Sequence, residues 1–266
     1  NLTLIKIIQE GGMNMNKIST INNSVYADYG KFASGKAVQS AADGAAELGI
    51  IQKQQTQINT YDKGAENIKA ASGLANITDG ALSGISDYLG RIHELSIRSM
   101  NGFMSDSDKA GIQAEIDQML QGIEQFAGTA MYNETYLLNG ASGDINVASG
   151  SGNMSVSTGN MTLKALGLDG YNIMDNFNLE DVENAMDKVN KLRSKVGAQT
   201  NALEYAYNYT TNASFNTTAS QSRVEDLDYA KAISEQKKEQ VLQQYAVTMQ
   251  KKFMDNEANL AQRLFL

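Results

Sequence analysis

Not one proline occurs in the 266 residues of this chain. An interior proline removes a backbone hydrogen bond and costs a helix about 3 kcal/mol. A chain this long without any can run very long unbroken helices. Twenty-three glycines act against helix length, so they are expected at helix ends, at turns or at close helix contacts. Aromatic residues are only 7%, which leaves Ile, Leu, Val, Met and Ala to build a core of packed helices.

The apolar spacing agrees. Ile58, Tyr61, Ala65 and Ile68 step by three and four, and Leu74, Ile77, Ala81, Ile85, Leu89 and Ile92 continue the stripe. A stripe held over several heptads predicts a coiled-coil seam over residues 41–100. At 1.5 Å per residue, a helix of that length spans about 90 Å. Gly64, Gly73, Gly80, Gly84 and Gly90 weaken it in isolation, so it depends on packing partners. Asn101-Gly102 marks a turn, and Ser105 and Asp108 stand at capping-box spacing. Ile112, Ile116, Met119, Ile123 and Phe126 predict a second amphipathic helix, antiparallel to the first and ending near Gly128.

Residues 139–170 change character, with Gly, Ser and Asn prominent. Ile145 and Val147 alternate with polar residues, as do Met154 and Val156, around Ser149-Gly150-Ser151-Gly152-Asn153. That pattern predicts a β-hairpin, with a disordered linker as the alternative. Helix returns from Asp181, with Val182, Met186, Val189, Leu192 and Val196 on one face. Tyr205 to Thr218 is richer in Asn, Thr and Tyr and more polar. Val241, Leu242, Tyr245, Met249 and Phe253 form an apolar face near the end, which closes on Leu264-Phe265-Leu266. The fold class read from these patterns is mainly α, an elongated antiparallel coiled-coil helical rod with a small β-hairpin insertion. Apolar ends of this kind need a facing surface.

Several functions are disfavoured. The net charge is −8, against the Lys and Arg excess that neutralises phosphates, so no nucleic-acid partner is expected. No run of 18 apolar residues exists, so no membrane insertion is expected. Cysteine is absent, which removes disulfides, thiolate metal sites and thiol nucleophiles. His93 is the lone histidine, and neither a metal-binding HExxH nor a Ser-His pairing can be formed around it. Asp43, Glu47, Glu115 and Asp117 are read as solvated charge rather than acid–base pairs, and Gly35, Gly44 and Gly49 lack the Lys-Ser/Thr of a phosphate loop. Asn-x-Ser/Thr triplets at Asn76, Asn133, Asn153, Asn160 and Asn208 are expected by chance in so Asn-rich a chain. No catalytic residue, cofactor or metal is therefore expected.

The opening Asn1–Gly12 is apolar and lacks a small-residue cleavage site, so a signal peptide is not expected. Codons for Gln9-Glu10-Gly11-Gly12 can spell a purine-rich ribosome-binding sequence. The expectation is that these residues precede the true start at Met13 or Met15, with a short apolar helix start as the alternative.

Several segments, in order, resemble bacterial flagellin. Phe32-Ala33-Ser34-Gly35 and Ser40 to Ala46 are similar to the family's amino-terminal "LSSG…SA.DDAAG" stretch, and Leu89 to Ile97 to its "LQRIRELSVQ" segment. Ser105–Asp108 with Gln113–Ile116, Leu166–Tyr171, Ser222–Ala230 and Val241–Gln244 resemble later family segments, so that the likeness covers residues 29–266. The resemblance implies an inner terminal helical domain from 1–40 with 228–266. It also implies a helical rod domain from 41–140 with 177–227, and a β-hairpin region of the rod over 141–176. It implies a secreted subunit of the flagellum, exported through the flagellar secretion channel, that polymerises with itself for motility and meets an export chaperone and the filament cap.

Ile18, Ile21, Val25, Val241, Leu242, Tyr245, Met249, Phe253 and Leu264 are the self-assembly candidates. Family members that trigger Toll-like receptor 5 use an exposed rod surface, and the matching Arg91, Leu95 and Glu115 are retained here. Gly90 and His93 depart from the usual Gln and Arg, and Met254 to Ala258 replaces the family's Gln- and Pro-containing stretch. The alternative is a hook–filament junction protein, which shares flagellin-like ends but joins two different partners.

Overall fold

The computed structural model describes residues 29–264 apart from Asn176. Ile18, Ile21 and Val25, and the expected start at Met13 or Met15, lie outside the described residues. The chain forms two compact units, one from Gln57–Asn216 and one from Asn1–Thr56 with Thr217–Leu266.

The elements run in order as α1 (Ala45–Ser99), α2 (Asp106–Thr129), β1 (Met131–Tyr132), β2 (Thr135–Tyr136), β3 (Ile145–Ala148) and β4 (Asn153–Val156). Then come α3 (Leu163–Leu166), α4 (Leu179–Glu225) and α5 (Tyr229–Leu264). The mainly α fold with a small antiparallel β part agrees with expectation. With 55 residues, α1 alone is about 80 Å long. It begins at Ala45 rather than 41 because Asp43 first closes a turn. Its Oδ2 accepts the backbone N–H groups of Gln39 and Ser40 and the Ser40 hydroxyl. The start of α2 is capped as the spacing predicts. Ser105 accepts from the Asp108 backbone N–H while the Asp108 carboxylate accepts from the Ser105 backbone.

Side-chain pairs within the Gln57–Asn216 unit fix α4 antiparallel to α1. Asp62 accepts from Ser214, and His93 pairs with Glu183 at 3.5 Å. Moving 31 residues forward from Asp62 to His93 thus moves 31 residues back from Ser214 to Glu183. Between them, Lys69 lies over the Tyr207 ring and Arg193 reaches Asp79. α2 folds back on α1 in the same manner: Tyr88 packs on Phe126, and the ring edges of Tyr88 and Phe126 sit against Gly122 and Gly84. Side chains larger than hydrogen would collide there.

One core joins these helices. Leu82, Ile85, Leu89 and Ile92 of α1, Ile116 and Ile123 of α2, and Val182, Val189 and Val196 of α4 have no exposed surface. The seam differs from expectation at one turn. Ile77 is 41% exposed, while Thr78 is buried in its place. Thr78 can go inside because its hydroxyl donates to the Leu74 carbonyl one turn back, so no polar group is left unpaired.

The expected hairpin is β3–β4, antiparallel, with Ile145 opposite Val156 and Val147 opposite Met154. It lies close against α1. A Cβ on Gly64 would come within 2.3 Å of the Ser149 carbonyl oxygen, and a Cβ on Gly150 within 2.6 Å of the Thr60 carbonyl oxygen. These two glycines let the hairpin loop touch the helix backbone. After the hairpin, Leu166 and Leu168 insert into the core and Gly167 caps α3 with φ at 88°. Tyr171 then donates its hydroxyl to Ser96 of α1.

Two features were not expected. A second, two-residue hairpin joins β1 to β2, with Asn133 and Glu134 at φ values of 45° and 65°. Such turns favour Asn-Gly, and a Glu in the second place hides the signal. The helix that returns at 179 also stops at Glu225 instead of continuing. Residues 225–227 run beside 35–37, where the Ala37 N–H donates to the Glu225 carbonyl and the Leu227 N–H donates to that of Gly35.

Candidate assembly and recognition surfaces

The apolar face predicted near the chain end is real and open to solvent. On α5, Val241 is 63% exposed and Tyr245 64%, with Leu242 and Met249 also exposed. Phe253 is half-buried. At 100° per residue these five positions share one side of the helix. An apolar stripe left in water forgoes roughly 1.5–3 kcal/mol for each large side chain that a partner would cover. Leu264 closes α5, and its side chain is outside the described residues.

Arg91 sits on the outer side of α1. Its guanidinium donates to Glu115 of α2 at 3.2 Å through Nε and Nη2, and to Glu94 at 3.0 Å through Nη1. Glu94 and Glu115 hold the Arg91 guanidinium above its ordinary range. All three side chains remain accessible to water, so the cluster offers charge to a partner while adding little to stability. Leu95, matched to the same surface by sequence, lies 1% exposed in the core.

Two further exposed features stand out, the first unread in the sequence and the second read there only as a more polar segment. The connection between α1 and α2 holds out Met100 and Phe103, the latter 97% exposed. On α4, Tyr205, Tyr209 and Phe215 point away from the core and are well over half exposed. The signal for the second was present. Residues 179–195 carry eight charged side chains, and residues 196–216 carry Glu204 alone.

Among the described residues, no group of three or more His, Cys, Asp or Glu could hold a metal ion. No described helix is long and apolar enough to cross a membrane.

Comparison with known proteins bears on these surfaces. Residues 11–143 match the bacterial flagellin N-terminal helical region, and residues 179–262 match the bacterial flagellin C-terminal helical region. The chain is 32% identical over 260 residues to the flagellar filament 30.7 kDa core protein of Treponema maltophilum, covering 89% of this chain and 91% of that one. It is 29% identical over 228 residues to a flagellin of Halalkalibacterium halodurans, covering 82% and 84%. A putative flagellar hook-associated protein from Vibrio parahaemolyticus shares the fold at a TM-score of 0.54 and 14% identity, covering 70% of this chain and 98% of that one. With both terminal helical regions matched and a filament core protein alike over nine-tenths of its length, this chain belongs to the bacterial flagellin family.

Proposed function

We propose that this chain is a structural subunit that polymerises with itself into the bacterial flagellar filament and serves motility. The single observation that carries the reading is the exposed apolar side of α5, formed by Val241, Leu242, Tyr245 and Met249. One helix cannot satisfy such a face alone, and a contact repeated from copy to copy generates an open helical filament. Residues 1–40 with 228–266 are assigned to the inner layer of that filament. Residues 41–140 with 177–227 are assigned to its helical rod, and 141–176 to the rod's β-hairpin region. Ile18, Ile21, Val25 and Leu264 join the α5 face as self-assembly positions. Export through the flagellar secretion channel, with a chaperone and the filament cap as partners, completes the reading. It assigns no catalysis.

The test is electron microscopy and sedimentation of the purified full chain. Wild type forms filaments, and Val241→Asp with Tyr245→Asp abolishes them at the same concentration. A wild-type chain that stays monomeric at every concentration would refute the role and favour a hook–filament junction protein.

A second reading rests on the accessible Arg91–Glu115 pair. We infer that this surface binds Toll-like receptor 5, with Leu95 fixing the helix turn beneath it. Arg91→Ala is expected to weaken binding of the receptor ectodomain roughly tenfold. Equal affinity for Arg91→Ala and wild type removes the idea.

A further inference from the structure

The second half of α4 has a surface that the packing of its own unit does not explain. By helical rotation, Leu203 and Thr210 face the core and are fully buried. Tyr205, Tyr209 and Phe215 fall within about 60° of the opposite direction. They are 77%, 59% and 71% exposed, so the helix sets them in water. Between them lie Asn208 and Asn212, also exposed. A helix side that only meets solvent normally carries charge, as residues 179–195 do. Aromatic enrichment with loss of charge is the mark of the covered centre of a protein interface.

The same unit holds a second uncharged surface. An open groove of about 380 Å³ runs between α1 and the two hairpins, and none of the residues that line it is charged. Asn67, Ala70 and Leu74 form one wall, and Tyr132, Ile145 and Val147 the other. Its volume is within the range of cavities that receive bulky groups. Groove and ridge look in different directions. Lys69 marks the side of α1 that meets α4, through its contact with Tyr207. The groove-lining positions of α1 are roughly 150° around the helix from Lys69.

We propose that the aromatic ridge of Tyr205, Tyr209 and Phe215 seats in the Asn67–Ala70–Ile145 groove of a second copy of this chain. Charge selects the occupant. Copies that each carry −8 repel one another, and they approach at least cost where both surfaces are free of charge. Orientation selects the kind of contact. Ridge and groove are different surfaces on different sides of one unit. A copy that fills its neighbour's groove therefore keeps its own groove open for the next, a head-to-tail contact that propagates. The inference rests on the filament reading and adds to it a contact made by the Gln57–Asn216 unit, separate from the α5 face.

Two full-length variants test it. Tyr205→Glu with Tyr209→Glu places charge on an exposed helix side. The protein is expected to melt as wild type does, while the concentration needed for filaments rises roughly tenfold or more. The natural chain has no cysteine, so Tyr209→Cys with Ala70→Cys reports the contact directly. After assembly and oxidation with copper phenanthroline, a ladder of disulfide-linked multimers is expected on a non-reducing gel. Should wild type form filaments while the Glu variant assembles at the wild-type concentration, or the Cys variant form filaments without a ladder, the ridge-and-groove contact is overturned and the filament role stands. A wild-type chain that never polymerises overturns both.

Discussion

Leu89 and Ile92 have no exposed surface, and each fills the seam between α1 and its neighbours. Truncating Leu89 to Ala removes buried methyl groups and leaves a cavity that long helices cannot easily close. The expected cost is about 2–5 kcal/mol, read from urea unfolding of the monomer. An equal truncation at Ile77, 41% exposed one turn outside the core, is expected to cost far less, which tests the seam as the structure draws it. At Asp43 the residue-scale effect is electrostatic. The Ser40 hydroxyl, then the Ser40 and Gln39 backbone N–H groups and the Lys31 ammonium, hold its carboxyl down at about 2, against an ordinary 3.8. The folded value is the lower one. The turn therefore contributes stability above pH 4 and loses it as the pH falls from about 4 through about 2. A carboxyl titration followed by NMR should give that low midpoint, and Ser40→Ala should move it upward.

At the scale of elements, the contact between the β3–β4 loop and α1 depends on hydrogen at Gly64. A methyl group there would meet Ser149 backbone at 2.3 Å and Gly150 backbone at 2.7 Å. Backbone cannot swing aside as a flexible side chain does. Gly64→Ala should therefore lift the hairpin loop off the helix, although alanine is the better helix former by about 1 kcal/mol. The expected net loss is about 1–3 kcal/mol, with faster amide exchange confined to β3 and β4. Gly73, with nothing near its missing Cβ, is the control: Gly73→Ala should leave the unfolding midpoint unchanged or raise it. Opposite signs for one substitution on one helix would separate a packing glycine from a merely tolerated one.

For the whole molecule, the filament role turns on which surfaces the monomer leaves uncovered. Among the described residues, the largest fully buried side chains all belong to the Gln57–Asn216 unit. The α5 stripe stands in water, and its amides gain little protection from packing. Limited proteolysis of the monomer is expected to trim both ends and leave a core near residues 45–225, and the same ends should resist cleavage in assembled filaments. Mass spectrometry of the fragments checks this. A monomer whose 229–264 segment survives as long as its core would count against assembly-driven ordering.

What the sequence by itself determined was local. The lack of proline and the three-four spacing specify long helices. Ser105 and Asp108 specify the start of α2, because a capping box closes within four residues. Alternation over Ile145–Val147 and Met154–Val156 specifies the β3–β4 pairing, since side-chain period and strand period coincide. The order of its motifs also marked the family, and apolar spacing marked the α5 face. Other features required the tertiary structure. Thr78 and not Ile77 enters the core, because a hydroxyl bonded to its own helix loses its polarity cost only once the neighbours surround it. Leu95 is buried beside Arg91, although the family resemblance matched both to one recognition surface. The helix breaks at residues 226–228, where backbone groups find partners near Gly35, about 190 residues earlier in the chain. Burial of each of these groups depends on distant segments arriving at the same place, and no local window of sequence contains that information.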